Sequence, residues 1–291
     1  MAEIIIGVSP AYHLSRYGER FTPENVAASL ADISAMGFSS FQLEVFHPDT
    51  LSDWVSYGSS SVARSAEKSN IFPSQFAGHF LLHGFDSPSS LYSDYGIEEI
   101  RSCVKILKPF PDCSVITLVV PAFTLSAATI NRETYERLWM RLAEKLKTML
   151  SVAEGGGKKL ALEILPSSLI GGIQGLLRLI KILNSPNFGY NFDTGHAWAC
   201  REAIELIPGM LAGRIFGTHL KDNDQSVNLS LSPGKGTIPW DSLIKNLFAS
   251  GYRGNYDLEI RCESNETESQ YRQGLLFIQS KLSIYKGAYV W

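Results

Sequence analysis

At 291 residues, 45% of them apolar and 19% charged, with a formal net charge of -3, the chain has the composition of an ordinary soluble globular protein, which disfavours disorder and membrane spanning. The near-neutral balance lacks the basic excess that displaces counterions from phosphates, so neither a nucleic-acid nor a membrane partner is expected. The opening MAEIIIGVSP has no basic segment followed by a long apolar stretch and cleavage site, and a cytoplasmic location is the expectation. Cys103, Cys113, Cys200 and Cys262 form no C-x-x-C pair and read as reduced, packed thiols.

In chain order, the apolar run 4–9 (IIIGVS) predicts a first strand. Thr22-Pro23 then offers an N-cap and a proline in the first turn of a helix that carries Val26, Leu30 and Ile33 at helical spacing and stops at Gly37. Strand-like runs follow at 39–46, 76–83 and 114–120, with helical segments near 52–68 and 97–108 between them. The helix 133–154 has the clearest period, placing Leu138, Leu142, Met149 and Ala153 on one stripe before Gly155-Gly156-Gly157. Further strands are predicted at 159–165, 188–193, 213–220 and 255–260, and further helices at 172–184, 197–207, 240–250 and 266–284.

Strands without strict alternation suit a parallel sheet covered on both faces. Eight strand-helix units in this length predict one (β/α)8 TIM barrel, a single domain over residues 1–291. An open doubly wound sheet is the alternative, but no G-x-G-x-x-G or G-x-x-x-x-G-K-[ST] turn is present.

In such a barrel the chemistry lies where strands end. Glu163 closes LALE, Asp193 closes NFD, His219 closes GTH and Glu259 closes DLE, on the predicted fifth to eighth strands in succession. Three carboxylates and an imidazole converging on one mouth repel unless a cation compensates them, so one divalent metal ion is expected. Oxygen-rich ligation with one nitrogen suits Mn2+, Mg2+ or Co2+, with Zn2+ left open.

The phrases NFDTGHAW, GTHLKDND, PGKGTIPW and YDLEI resemble the xylose-isomerase-like barrel superfamily of sugar isomerases and epimerases, dehydratases and AP endonucleases. The resemblance implies that Glu163, Asp193, His219 and Glu259 hold one ion, and that His196 hydrogen-bonds substrate beside it. Glu44 and His83, at predicted strand ends, are further substrate contacts. Lys221 either faces a developing oxyanion or pairs with Asp222 or Asp224, and Trp198 and Phe46 wall the pocket. His79, deeper in its predicted strand, is assigned to structure, while His13 and His47 read as solvated loop residues, with a place at the mouth as the alternative for His47.

Two departures narrow the choice. The endonucleases carry an Asp-x-His pair before the Gly-x-Gly turn where this chain has Asn228 and Ser230, and the fourth strand runs into LVVPAF without a histidine, so a three-metal cluster lacks ligands. Gln225 stands where many epimerases place a substrate arginine. The expected function is therefore a metal-dependent sugar or sugar-phosphate isomerase or epimerase, in which Glu163 and Glu259 exchange a proton beside a carbonyl through an enediolate. A dehydratase of an inosose or dehydroshikimate-like substrate is the nearest rival, and a homo-oligomer is compatible with the sequence.

Overall fold

The computed structural model describes residues 4–125 and 131–285. The elements are, in order, β1 (Ile6–Val8), α1 (Ala11–Tyr17), α2 (Pro23–Ala35), β2 (Ser40–Glu44), α3 (Leu51–Asp53), α4 (Ser59–Lys68), β3 (Phe72–Gly78), α5 (Pro88–Tyr92) and α6 (Ile97–Ile106). They continue with β4 (Val115–Val120), α7 (Arg132–Gly155), β5 (Lys159–Ile164), α8 (Ile173–Leu183), β6 (Phe188–Asp193), α9 (Thr194–Ala199), α10 (Ile207–Met210), β7 (Ile215–His219), α11 (Trp240–Ala249), β8 (Tyr256–Leu258) and α12 (Thr267–Ser283).

The strands form one parallel sheet in the order β7-β6-β5-β4-β3-β2-β1-β8. Just beyond β7, Leu220 pairs with Leu258, donating its N–H to Asp257 O at 2.7 Å and accepting from Glu259 N at 3.0 Å. That contact joins the last two strands, so the predicted eight-stranded barrel is what forms. Strand burial is almost continuous, as in β4 (VITLVV) and β6 (FGYNFD), because helices cover the outer face. Among the described residues no helix is long and apolar enough to cross a membrane.

Local chemistry explains most boundaries. Thr22 caps α2 by accepting from Asn25 N–H, and Asn25 returns the bond to the Thr22 backbone. The predicted helix 52–68 is interrupted by a π-turn over Trp54–Gly58, where a Cβ on Gly58 would lie 2.3 Å from Pro23 Cγ. Glycine there lets α4 approach α2 closely.

Three boundaries differ from expectation. Helix α1 was hidden because Ala11, Tyr12, His13 and Leu14 are all buried, which leaves no amphipathic period. The predicted helix 197–207 divides into α9 and α10, with Arg201 at φ 56° turning the chain out of the helix. Strand β3 begins at Phe72 and ends at Gly78 rather than spanning 76–83. Pro73 sits at the strand's start, where its missing N–H is tolerated, and Gln75, which reads as a loop residue, is buried inside the barrel.

Candidate metal centre and substrate cavity

The ends of β5, β6 and β7, with the residue after β8, bring Glu163, Asp193, His219 and Glu259 together, one ligand atom from each lying within 4.8 Å of all the others. His219 Nδ1 is the hub. It lies 2.9 Å from Glu163 Oε2, 3.2 Å from Glu259 Oε2 and 3.7 Å from Asp193 Oδ2. Neither His219 Nδ1 nor Asp193 Oδ2 completes a well-aligned hydrogen bond although both are buried. A buried imidazole nitrogen without an aligned hydrogen bond is costly, and its convergence with three carboxylates on one centre fits a divalent cation with oxygen-rich coordination.

The electrostatics agree. Burial disfavours ionisation of Glu163, yet the field of His219 and hydrogen bonds from His196 and His219 outweigh it and hold this carboxyl well below the usual range. Asp193 behaves alike, burial being overcome by His196 and Lys221, and in Glu259 burial is overcome by Lys221 and His219. His219 is pushed well above its ordinary value: burial opposes protonation, but Glu163 and Glu259 prevail. A site that draws a proton onto a buried imidazole to balance its carboxylates is one in which a metal cation can take over that balancing charge.

Lys221 contributes a second cation. Its Nζ lies 2.8 Å from Asp193 Oδ2, 3.0 Å from Glu259 Oε2 and 3.3 Å from His196 Nε2. Of the two sequence alternatives, pairing with Asp222 or Asp224 is therefore not what the fold selects. Buried Asp222 instead organises the loop after β7, accepting from Gly234 N–H, Ile238 N–H and the Trp240 indole. Gly195 in the D-T-G-H phrase has a geometric reason: a Cβ there would lie 2.6 Å from Lys221 Cγ. Asp193 caps α9 by accepting His196 N–H at 2.7 Å, which fixes the carboxylate and brings His196 Nε2 within 3.3 Å of Glu163 Oε1.

Above this centre opens a cavity of about 410 Å³ whose lining includes Glu44, Phe46, His79, His196, Lys221 and Arg261, a size suited to a small ligand. Glu44 at the end of β2 is buried, and its Oε2 has no hydrogen-bond partner. Its pKa is raised well above the ordinary value, first by burial and then by the charges of Glu259 and Glu163. Phe46 stacks on His79 at 3.9 Å between ring centroids, 10° from parallel.

Not every predicted contact arrives. His83 lies beyond β3 in a short 3-10 turn, more than half exposed and 3.9 Å from Asp86, outside the cavity lining. The earlier strand end gives its place to His79, whose pKa falls to about 4, chiefly through burial. Trp198 is also absent from that lining and donates its indole N–H to Thr237. His13, expected in solvent, is fully buried and bonded to Ser29.

The sequence reading missed a polar layer beneath the charged ring. Gln42 accepts from His219 Nε2 at 2.8 Å and donates to Asp257 Oδ2 at 2.7 Å. Thr117 donates to Gln75, Gln75 to Asn191, and Asn191 to Glu163 Oε2 at 3.4 Å. The available signal was an inward-facing polar residue inside each of several apolar strands, and it becomes specific only when the strands are closed around one axis.

A family model described as xylose isomerase-like TIM barrel matches residues 30–281. The chain is 27% identical over 173 residues to L-ribulose-5-phosphate 3-epimerase UlaE of Escherichia coli, a match that covers 59% of this chain and 58% of the relative. It thus spans little more than half the length of the curated relatives it matches. Among solved structures, 3-keto-D-glucoside 4-epimerase YcjR of E. coli superposes with a TM-score of 0.73 at 19% identity, covering 96% of this chain and 100% of the other. The IolI protein with a bound zinc atom superposes with a TM-score of 0.71 at 14% identity, covering 98% and 100%.

Proposed function

Because the chain belongs to the xylose isomerase-like TIM barrel family, we propose that it is a divalent-metal-dependent isomerase or epimerase of a sugar or sugar phosphate. The observation that carries this is the Glu163-Asp193-His219-Glu259 cluster, its ligand atoms converging on one point at the floor of a sugar-sized cavity. The four residues would hold Mn2+, Mg2+, Co2+ or Zn2+. When bound, such an ion supplies Lewis acidity to a substrate carbonyl and so lowers the barrier to removing the neighbouring proton.

The remaining chemistry belongs to the protein. Glu163 and Glu259 extend from β5 and from the end of β8, so a substrate between them meets one carboxylate as base and the other as acid. Lys221, 3.0 Å from Glu259, keeps positive charge beside the negative charge that develops on the deprotonated substrate. His196, backed by Glu163, is set to hydrogen-bond a substrate oxygen. Asp193 is immobilised by its cap and by Lys221, which suits it to ligation and not to proton transfer. Glu44 faces the centre from across the barrel and is placed to bond a substrate hydroxyl. The epimerase names of the relatives support this chemistry, and Arg261 on the cavity lining supplies a cation for a phosphorylated substrate.

The test is solvent deuterium exchange into ketoses and ketose phosphates by the metal-loaded protein, with metal occupancy measured in the same sample. Glu259→Gln keeps a ligating oxygen but cannot take up the proton, and should lower exchange at least about a hundredfold while metal remains. Full exchange by the metal-loaded variant would overturn the assignment of Glu259 as a proton carrier. No exchange into any substrate by the metal-loaded parent would overturn the isomerase reading itself.

A further inference from the structure

Below the charged ring, one amide stands between two groups of opposite demand. Gln42, on β2 and only 1% exposed, places Oε1 2.8 Å from His219 Nε2 and Nε2 2.7 Å from Asp257 Oδ2. Which way the amide faces is dictated from below. Asp257 also accepts from Ser74 Oγ at 2.7 Å and from Ser40 Oγ at 3.4 Å, and Ser40 in turn accepts from Asn255 Nδ2 at 2.8 Å. Every hydroxyl and amide around this carboxylate is therefore a donor. Turning Gln42 over would bring its carbonyl against the carboxylate and its NH2 against the imidazole.

We propose that Gln42, oriented by Asp257, is a positioning residue that fixes His219 with its proton on Nε2 and presents the Nδ1 lone pair to the ion. The inference rests on the metal-dependent reading above and adds a residue that takes no part in ligation. A carbonyl oxygen can only accept, so the ring nitrogen facing it must donate, and a histidine can then ligate only through its other nitrogen. The ring's rotation is already fixed, so Nδ1 is the nitrogen that faces the ion and the proton on Nε2 stays in place when the ion binds. Gln42 and Asp257 lie 215 positions apart in sequence, and only the closed barrel brings β2 beside β8 through β1 to make this chain of bonds.

The experiment uses the full chain and Zn2+ alone, chosen because it is diamagnetic. In the zinc-loaded parent, 15N-1H spectra of the His219 ring should show a protected proton on Nε2 and a coordinated Nδ1. Gln42→Met keeps the volume and removes the acceptor. It should weaken zinc binding roughly 10- to 100-fold, the usual cost of losing an outer partner of a metal-bound histidine, and the protected Nε2 proton should exchange with water. Coordination through Nε2 in the parent would overturn the proposal without any variant, so it stays falsifiable even if Gln42→Met fails to fold. A folded Gln42→Met with the parent's zinc affinity and an unchanged Nε2 proton would also overturn it. A parent that binds neither zinc nor Mn2+, Co2+ or Mg2+ would instead refute the metal-dependent reading, and this inference with it.

Discussion

Strands β5, β6 and β7 each end at or beside a charged ligand, and Glu259 follows β8 directly. Across the barrel, β2 ends on Glu44, β3 on Gly78 with His79 next, and β4 on Val119 and Val120. Neighbouring strands lie about 4.8 Å apart, so side chains from adjacent ends converge on one point. The first arc therefore concentrates three carboxylates and an imidazole that could hold a metal ion. The opposite arc supplies surface: a buried carboxyl that resists ionisation, a stacked Phe46-His79 pair and apolar side chains. One rim thus separates a charged side, proposed to ligate, from a mainly apolar side, proposed to recognise substrate.

Substitutions can break or sharpen that division. The largest effect is expected from His219→Ala, which removes the hub of the ligating arc and should weaken divalent-metal binding more than about a hundredfold, measured by competition with a chelating dye. Glu44→Gln, on the recognising arc, should leave metal affinity within about threefold, since Glu44 is outside the ligand cluster, and should act on substrate binding. If Glu44→Gln abolished metal binding as fully as His219→Ala, the two arcs would not be distinct. Phe46→Ala removes half of the aromatic stack and should raise KM about 2- to 10-fold with kcat little changed, from the usual worth of an aromatic pair. A fall in kcat alone would place Phe46 on the chemical side instead.

The smallest effect concerns a residue behind the rim. His13 Nε2 bonds to Ser29 Oγ, which itself donates to Val26 O, so the imidazole N–H must be the donor and Nδ1 is left without a partner. Burial lowers its pKa from 6.5 to about 3. Because the folded value is depressed, the unfolded chain binds the extra proton. His13 thus leaves stability intact above pH 6.5 and erodes it as pH falls toward 3, by up to about 1.4 kcal/mol per pH unit. Denaturant unfolding of His13→Gln should show a shallower acid loss than the parent, and an identical profile would refute the assignment.

The site was legible where chemistry and strand ends coincide in sequence. Glu163, Asp193, His219 and Glu259 each close an apolar run, and β5 to β8 begin and end close to where the pattern places them. His83 and His79 exchanged places for the opposite reason. Strand β3 contains Pro73, Ser74 and Gln75, whose polarity is satisfied by Phe41, Asp257, Thr117 and Asn191 on other strands, so its local pattern reads as loop. Trp198 was placed by its position after D-T-G-H, but the loop after β7 offers Thr237 to its indole and draws it away from the cavity lining.

By itself, then, the sequence determined the barrel and the identity of its four candidate ligands, since burial on both sheet faces and polar strand ends are local properties written in residue order. Only the tertiary structure decided that Lys221 pairs with Asp193 and Glu259, that His79 rather than His83 reaches the cavity, and that Gln42 stands between His219 and Asp257. These are contacts between strands remote in the chain. A hydrogen bond depends on distance and direction in space, and no spacing along a sequence specifies either until the barrel closes.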